Sequence, residues 1–192
     1  MDSSCNECRI QPLREHANPV IPDYRDGDIL VVSDFPVIED TETGLCMSGL
    51  HRRTTFVNRI LHDAKVDTDA VSFASVLRCI TKSKAIISML DYERCGKIML
   101  EEAGHLGFLG VLCFGSVAGS IVRGSKVTSI EAIRGKILES VIPGAFCVVT
   151  YSLGVLVDTA GCGGCGGNVH PTLAKKDVAF FYKEIKNRRG SK

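Results

Sequence analysis

Four short apolar runs alternate with stretches of helical periodicity, and this alternation limits the possible folds more than any other feature of the chain. Residues 28–33 (DILVVS) are rich in β-branched side chains, bounded by Asp26-Gly27 and Pro36, and read as a buried strand. Residues 70–77 (AVSFASVL), 108–114 (FLGVLCF) and 145–150 (AFCVVT) read the same way. Between them, residues 54–64 place Phe56, Val57, Ile60 and Leu61 on one helical face, with Thr54 or Thr55 as cap. Residues 83–106 are helical for much of their length, and 116–123 form a short helix. Residues 171–186 open on a helix-compatible proline and turn Leu173, Val178, Phe181 and Ile185 inward. Strands that are apolar throughout need cover on both faces. The predicted fold is therefore α/β, three layers in α/β/α order around a central four-stranded parallel sheet. Ligands of such sheets bind beyond the carboxyl ends of the strands, here residues 33–40, 75–82, Gly115 and 150–154.

A length of 192 residues suits one domain over residues 1–192, with residues 159–168 (TAGCGGCGGN) as a glycine-rich inserted loop. With 45% hydrophobic and 23% charged residues, the composition is that of a globular chain rather than a disordered or coiled-coil one. The net charge of +1 argues against a broadly basic nucleic-acid coat but leaves room for a local basic groove. Basic residues do gather at Arg52 and Arg53, and in a tail (Lys183, Lys186, Arg188, Arg189, Lys192) that reads as a solvated, frayed end. No apolar run approaches the roughly 20 residues that span a bilayer, and the first residues carry no apolar signal core. An intracellular protein, in the cytoplasm or in host cytoplasm if viral, with no membrane partner is expected.

Nine cysteines are then out of the ordinary, because an intracellular chain keeps its thiols reduced. Cys113 and Cys147 lie inside apolar runs and read as small core residues. Two C-x2-C pairs, Cys5/Cys8 and Cys162/Cys165, point to metal more than to disulfide. Cys79 ends the second strand, Cys95 follows on the long helix, and the N-terminal pair is able to fold over both. Four thiolates at Cys5, Cys8, Cys79 and Cys95 suit zinc or an iron–sulfur cluster, since soft ligands select those metals. Cys162 and Cys165 read as incidental thiols of a mobile loop, or as a second metal or redox pair.

This cysteine spacing resembles that of the iron–sulfur uracil-DNA glycosylases of the family 4 type, and further segments follow in that family's order over about residues 5 to 187. Its first motif, a strand running into Gly-Glu-Ala-Pro-Gly and an acidic pair, is similar to Val31-Val32-Ser33-Asp34-Phe35-Pro36-Val37-Ile38-Glu39-Asp40. Its second, Thr-Asn-x-x-Lys-Cys, is similar to Ala74-Ser75-Val76-Leu77-Arg78-Cys79. Phe114-Gly115-Ser116-Val117-Ala118-Gly119 resembles its third strand end, and Ile133-Arg134-Gly135-Lys136 its Arg-Gly pair. Thr150 to Leu156 stands where that family has Thr-x-His-Pro-Ser-x-x-Leu. The resemblance implies a 4Fe–4S cluster that anchors DNA-facing loops, DNA as partner, and a base pocket built from Phe35, Pro36, Ser75, Gly115, Tyr151 and Ser152. Arg52, Arg53 and Arg134 are the candidate DNA contacts.

The chemical positions depart from that pattern. Uracil excision needs an extruded base, a stabilised anionic leaving group and a carboxylate at the cationic sugar. Asp34 stands for the family's Glu with a shorter reach, and a shift of ~1 Å at such a group costs about a hundredfold in rate. Ser75 stands for the base-reading Asn, and a hydroxyl does not make an amide's paired contacts. Neither Cys46 nor Met47 offers the stacking aromatic ring, and the His-Pro is absent after Thr150. His170-Pro171-Thr172 imitates that lost motif; His170 reads as a helix-start residue, or as a relocated catalytic histidine. The expectation is a DNA-binding relative with lost or altered base excision, in repair or as an accessory to a DNA polymerase or other replication protein. The alternatives are an active uracil-DNA glycosylase that uses Asp34, and a zinc-bound interaction module.

Overall fold

The structure, a computed structural model, describes residues 8–15, 18–48, 51–81, 87–161 and 169–191. Four strands, β1 (Ile29–Ser33), β2 (Val71–Ser75), β3 (Gly110–Phe114) and β5 (Phe146–Thr150), are parallel and all within the apolar runs of the sequence. A two-residue strand, β4 (Leu138–Glu139), adds to the edge antiparallel to β5. The sheet therefore has five strands rather than the expected four, in the order β2-β1-β3-β5-β4. Two residues carry no periodicity, so β4 leaves no trace in the hydrophobic pattern.

Side chains of a strand point alternately to the two faces, and here both faces are covered. Ile29 and Val31 of β1 join Leu112, Phe146 and Val148 under α2 (Arg52–Asp63), α6 (Leu153–Gly161) and α7 (Val169–Gly190). Leu30 and Val32 join Cys113, Cys147 and Val149 under α3 (Met89–Gly104) and α4 (Ser116–Arg123). These are the three layers that the apolar strands demanded. Cys113 and Cys147 are fully buried core residues.

Local chemistry sets the helix boundaries. His51 caps α2 by accepting from the Arg53 N–H, and the predicted face of Phe56, Val57, Ile60 and Leu61 is buried. Ser88 and Asp91 form a capping box that starts α3 at Met89, later than the periodicity alone placed it. Helix α6 extends over residues 159–161, the first part of the expected glycine loop; Cys162, Cys165 and the rest of that loop lie outside the described residues. The basic tail continues α7 to Gly190 instead of fraying, held by Arg188 on Glu184 and Arg189 on Asp28. Two short helices, α1 (Asp40–Thr43) and α5 (Ile130–Ile133), complete the described elements. No helix among the described residues is long and apolar enough to cross a membrane.

Candidate functional site

The carboxyl ends of β1, β3 and β5 open onto a cavity of about 300 Å³. Ser33, Asp34 and Phe35 line it from the end of β1, Phe114 from β3, Ser152 to Val155 from the first turn of α6, and Arg53 from the start of α2. This is the position the parallel topology predicts for a ligand, at the low end of ordinary small-molecule pocket volumes.

Asp34 occupies the wall between the strand ends and α4. Its Oδ1 accepts from the Ala118 N–H at 2.8 Å, so it meets the positive end of that helix. Burial pushes its carboxyl up from 3.8 to about 6, opposed by the Ala118 N–H, the Arg53 charge and the Val117 N–H. Gly115 makes the placement possible: its φ is 114°, and a Cβ there would stand 2.3 Å from Asp34 Oδ2. Asp34 thus both caps a helix and faces the cavity.

Arg53 also lines the cavity, partly buried, close enough for its charge to act on Asp34, with its guanidinium carbon 5.0 Å from the centre of the Phe35 ring. Phe35 and Arg53 together separate the cavity from a second groove, about 340 Å³, lined by Pro36, Val37, Glu39, His51, Leu77 and Cys79 among others. Arg52, its sequence neighbour, is exposed on the outer side of α2.

The structure distributes the other expected site residues more widely. Ser152 lines the cavity, whereas Pro36 lines only the adjoining groove. Ser75 is buried and donates its hydroxyl to the Leu77 carbonyl at 2.9 Å, a strand-end role that keeps it off the cavity wall. Tyr151 is buried, packed edge-on against His170 at 4.4 Å and under the Arg134 guanidinium at 5.6 Å, and does not line the cavity. His170 stands at the start of α7, against Tyr151, and it is not among the cavity-lining residues. Arg134 is occupied internally: it binds both carboxylate oxygens of buried Asp177 and the Leu173 carbonyl, and Asp177 also accepts from Thr150 Oγ1 at 2.7 Å. Its guanidinium is thereby tied to α7.

The base pocket named from the sequence left out Asp40, Met47 and Phe114, which line the cavity. Met47 stands where the stacking aromatic was sought, with a left-handed φ of 58° that turns its thioether toward Thr54 Oγ1. A polarisable thioether packs well on flat rings, but nothing in the local pattern distinguished Met47 from a core methionine.

Beside the cavity, Cys8, Cys79 and Cys95 share one small apolar cluster with Ile10, Leu77, Phe35 and Tyr92. The N-terminal segment is tied there by the Arg9 Nε–Asp91 bond at 2.8 Å, the Glu15 N–H to the Ile80 carbonyl at 2.8 Å, and a bridge between Arg14 and Thr81. Cys5, the fourth expected ligand, lies outside the described residues. Among the described residues no three metal-ligating side chains converge on a single ion. The donor chemistry, three thiols gathered in a mostly apolar patch with a fourth three residues along the chain, suits a multinuclear cluster.

Compared with protein-family models and with curated proteins, the chain matches none.

Proposed function

We propose that this chain is an iron–sulfur DNA-binding protein of the uracil-DNA-glycosylase kind, which takes an extruded base into the cavity at the sheet's tip. Its base-excision chemistry is lost or altered relative to the family pattern, and it serves DNA repair or acts as an accessory to a DNA polymerase or another replication protein. One observation carries the reading: the cavity lies at the carboxyl ends of parallel strands and combines a carboxylate (Asp34), an aromatic ring (Phe35) and a cation (Arg53). An extruded base needs a flat apolar wall and polar groups at its edge. Cleavage of its bond to the sugar needs opposite charges on the two sides.

Cys8, Cys79 and Cys95 from the described residues, with Cys5, are the ligands proposed for a 4Fe–4S cluster. Its part here is to hold the N-terminal segment and the residues around Leu77 next to Phe35. Zinc is the competing metal. A single zinc draws its thiolates to bonds of about 2.3 Å, closer together than a four-iron cluster does.

The second reading, an active uracil-DNA glycosylase, is favoured by Asp34 itself, whose carboxylate faces the cavity beside a positive charge. Two measurements test these readings. Metal analysis of protein purified without air is expected to return iron and sulfide; zinc alone would replace the cluster with the interaction-module reading. Oligonucleotides with one uracil are expected to bind with a steep salt dependence, and an abasic-site assay then separates binder from enzyme. A chain that fails to bind single- or double-stranded DNA at low salt would refute the proposal.

A further inference from the structure

The polar groups of the cavity at the sheet's tip are weighted toward acceptors. Among the described residues, two carboxylates, Asp34 and Asp40, line it against one guanidinium, that of Arg53. An ionised carboxylate only accepts, and a guanidinium only donates. Nearby hydroxyls add few donors: Ser33 directs its own to the Phe35 carbonyl at 3.4 Å, and Ser75 gives its own to the Leu77 carbonyl. Asp40 is only 1% exposed, and its Oδ2 accepts from the Val37 N–H, so it sets the charge of the wall more than it meets a ligand. Asp34 is the more exposed of the two carboxylates. Its Oδ1 accepts from the Ala118 N–H at 2.8 Å, and the Val117 N–H adds a second bond. The charge of Arg53 acts on it, but among the described residues the two make no direct ion pair, and Arg53 is stacked on the Phe35 ring. A carboxylate offers about four lone-pair sites, so the two N–H groups leave it room for roughly two more bonds.

We infer that the cavity selects guanine among extruded bases, with Asp34 accepting from its ring N–H and its 2-amino group and Arg53 donating to its carbonyl. The inference rests on the base-binding reading above and deepens it by naming the base. Guanine is the DNA base whose pairing edge carries two neighbouring donors, N1–H and the 2-amino group, beside one acceptor, O6. A carboxylate with room for two bonds and a single guanidinium are the complement of that edge. Uracil and hypoxanthine bring the ring N–H alone to the carboxylate. Adenine and cytosine bring an amino group next to a bare ring nitrogen. Each of these leaves a carboxylate lone pair without a donor, which costs affinity. Phe35, Met47 and Phe114 supply apolar wall to any base, so the discrimination falls on the polar edge. A cavity of about 300 Å³ has room for a bicyclic base. A backbone phosphate is a poor occupant, since two carboxylates against one guanidinium give the wall a net negative charge.

Binding is measured at pH 8, where Asp34 is ionised, since burial raises its carboxyl only to about 6. The duplexes carry guanine, hypoxanthine, adenine or uracil opposite an abasic site, so that little pairing opposes extrusion. A 2′-fluorine on the target sugar disfavours its cationic form and so prevents release of the base. Hypoxanthine is guanine without the 2-amino group. Wild type is expected to bind the guanine duplex about tenfold or more tighter than the hypoxanthine duplex, as for one hydrogen bond to a charged group. Asp34→Asn, whose amide keeps an oxygen for the Ala118 N–H and turns a donor toward the cavity, is expected to lose that preference, with thermal melting to confirm folding. Hypoxanthine bound as tightly as guanine would overturn the inference and leave the base-binding reading standing. So would a loss in Asp34→Asn spread evenly over the four duplexes. A guanine preference that appears only with added magnesium would also overturn it, because the carboxylates would then be holding a cation. Absence of DNA binding would overturn the reading itself, and the inference with it, even if free guanosine bound.

Discussion

Asp34→Asn is expected to make the protein more stable at neutral pH while abolishing any excision. The carboxyl of Asp34 is pushed from 3.8 to about 6, chiefly by burial. The folded state therefore holds the proton more tightly than the unfolded chain, and stability is lost as pH rises through the folded value. Two pKa units correspond to about 3 kcal/mol once the group is fully ionised. That figure is an upper bound, because one edge of the carboxylate faces the cavity. Asparagine keeps an oxygen for the Ala118 N–H and carries no charge to desolvate. Between pH 4.5 and 7.5 the stability of Asp34→Asn relative to wild type should rise by about 2 kcal/mol. For a domain of this size that is a relative gain of about 4–8 °C in melting temperature. Urea titrations of both proteins at several pH values in this range give the difference directly, and every other titrating group cancels. A difference that stays flat across the range, or that shrinks as pH rises, would refute the reasoning. It would mean that the α4 start and Arg53 hold the carboxyl at or below its ordinary value.

Arg134→Ala should lower the urea midpoint strongly, by about 3–5 kcal/mol in stability, because it strands the buried Asp177 charge. Its DNA-binding salt slope should be unchanged; a slope smaller by about one would restore Arg134 as a phosphate contact. Cys79→Ser should lose iron and loosen the packing of Cys8 and Cys95 with Ile10 and Leu77, and a full iron count in that variant would remove Cys79 from the ligand set. Gly115→Ala should cost well over 1 kcal/mol, since it combines a φ of 114° with a Cβ driven into the Asp34 carboxylate. Gly144→Ala, with a φ of 76° and open space around it, should cost only about 1–2 kcal/mol. Equal melting temperatures for these two variants would show that the Asp34 side chain moves aside freely.

Residue type and spacing alone determined the layered α/β arrangement. Runs such as Ile-Leu-Val-Val in β1 are buried on both faces only if helices cover both sides, and that demand is local and readable. The placement of a cavity at residues 33–40 and 150–154 followed from the same rule, because parallel strands end together. The chain's own pattern did not reveal which way individual side chains at those ends turn. Arg52 and Arg53 are equivalent by composition, yet the helical rotation of α2 sends one to solvent and the other over Phe35. Tyr151 and Ser152 are neighbours just after β5, yet Tyr151 packs on His170 and only Ser152 lines the cavity. Arg134 and Asp177 stand 43 residues apart and meet only because α7 packs on the sheet beside β5. Charge pairing over such separations depends on distances of a few ångströms that only tertiary packing sets. That is why packing decided that Arg134 pairs with Asp177 and that Arg53 stacks on Phe35.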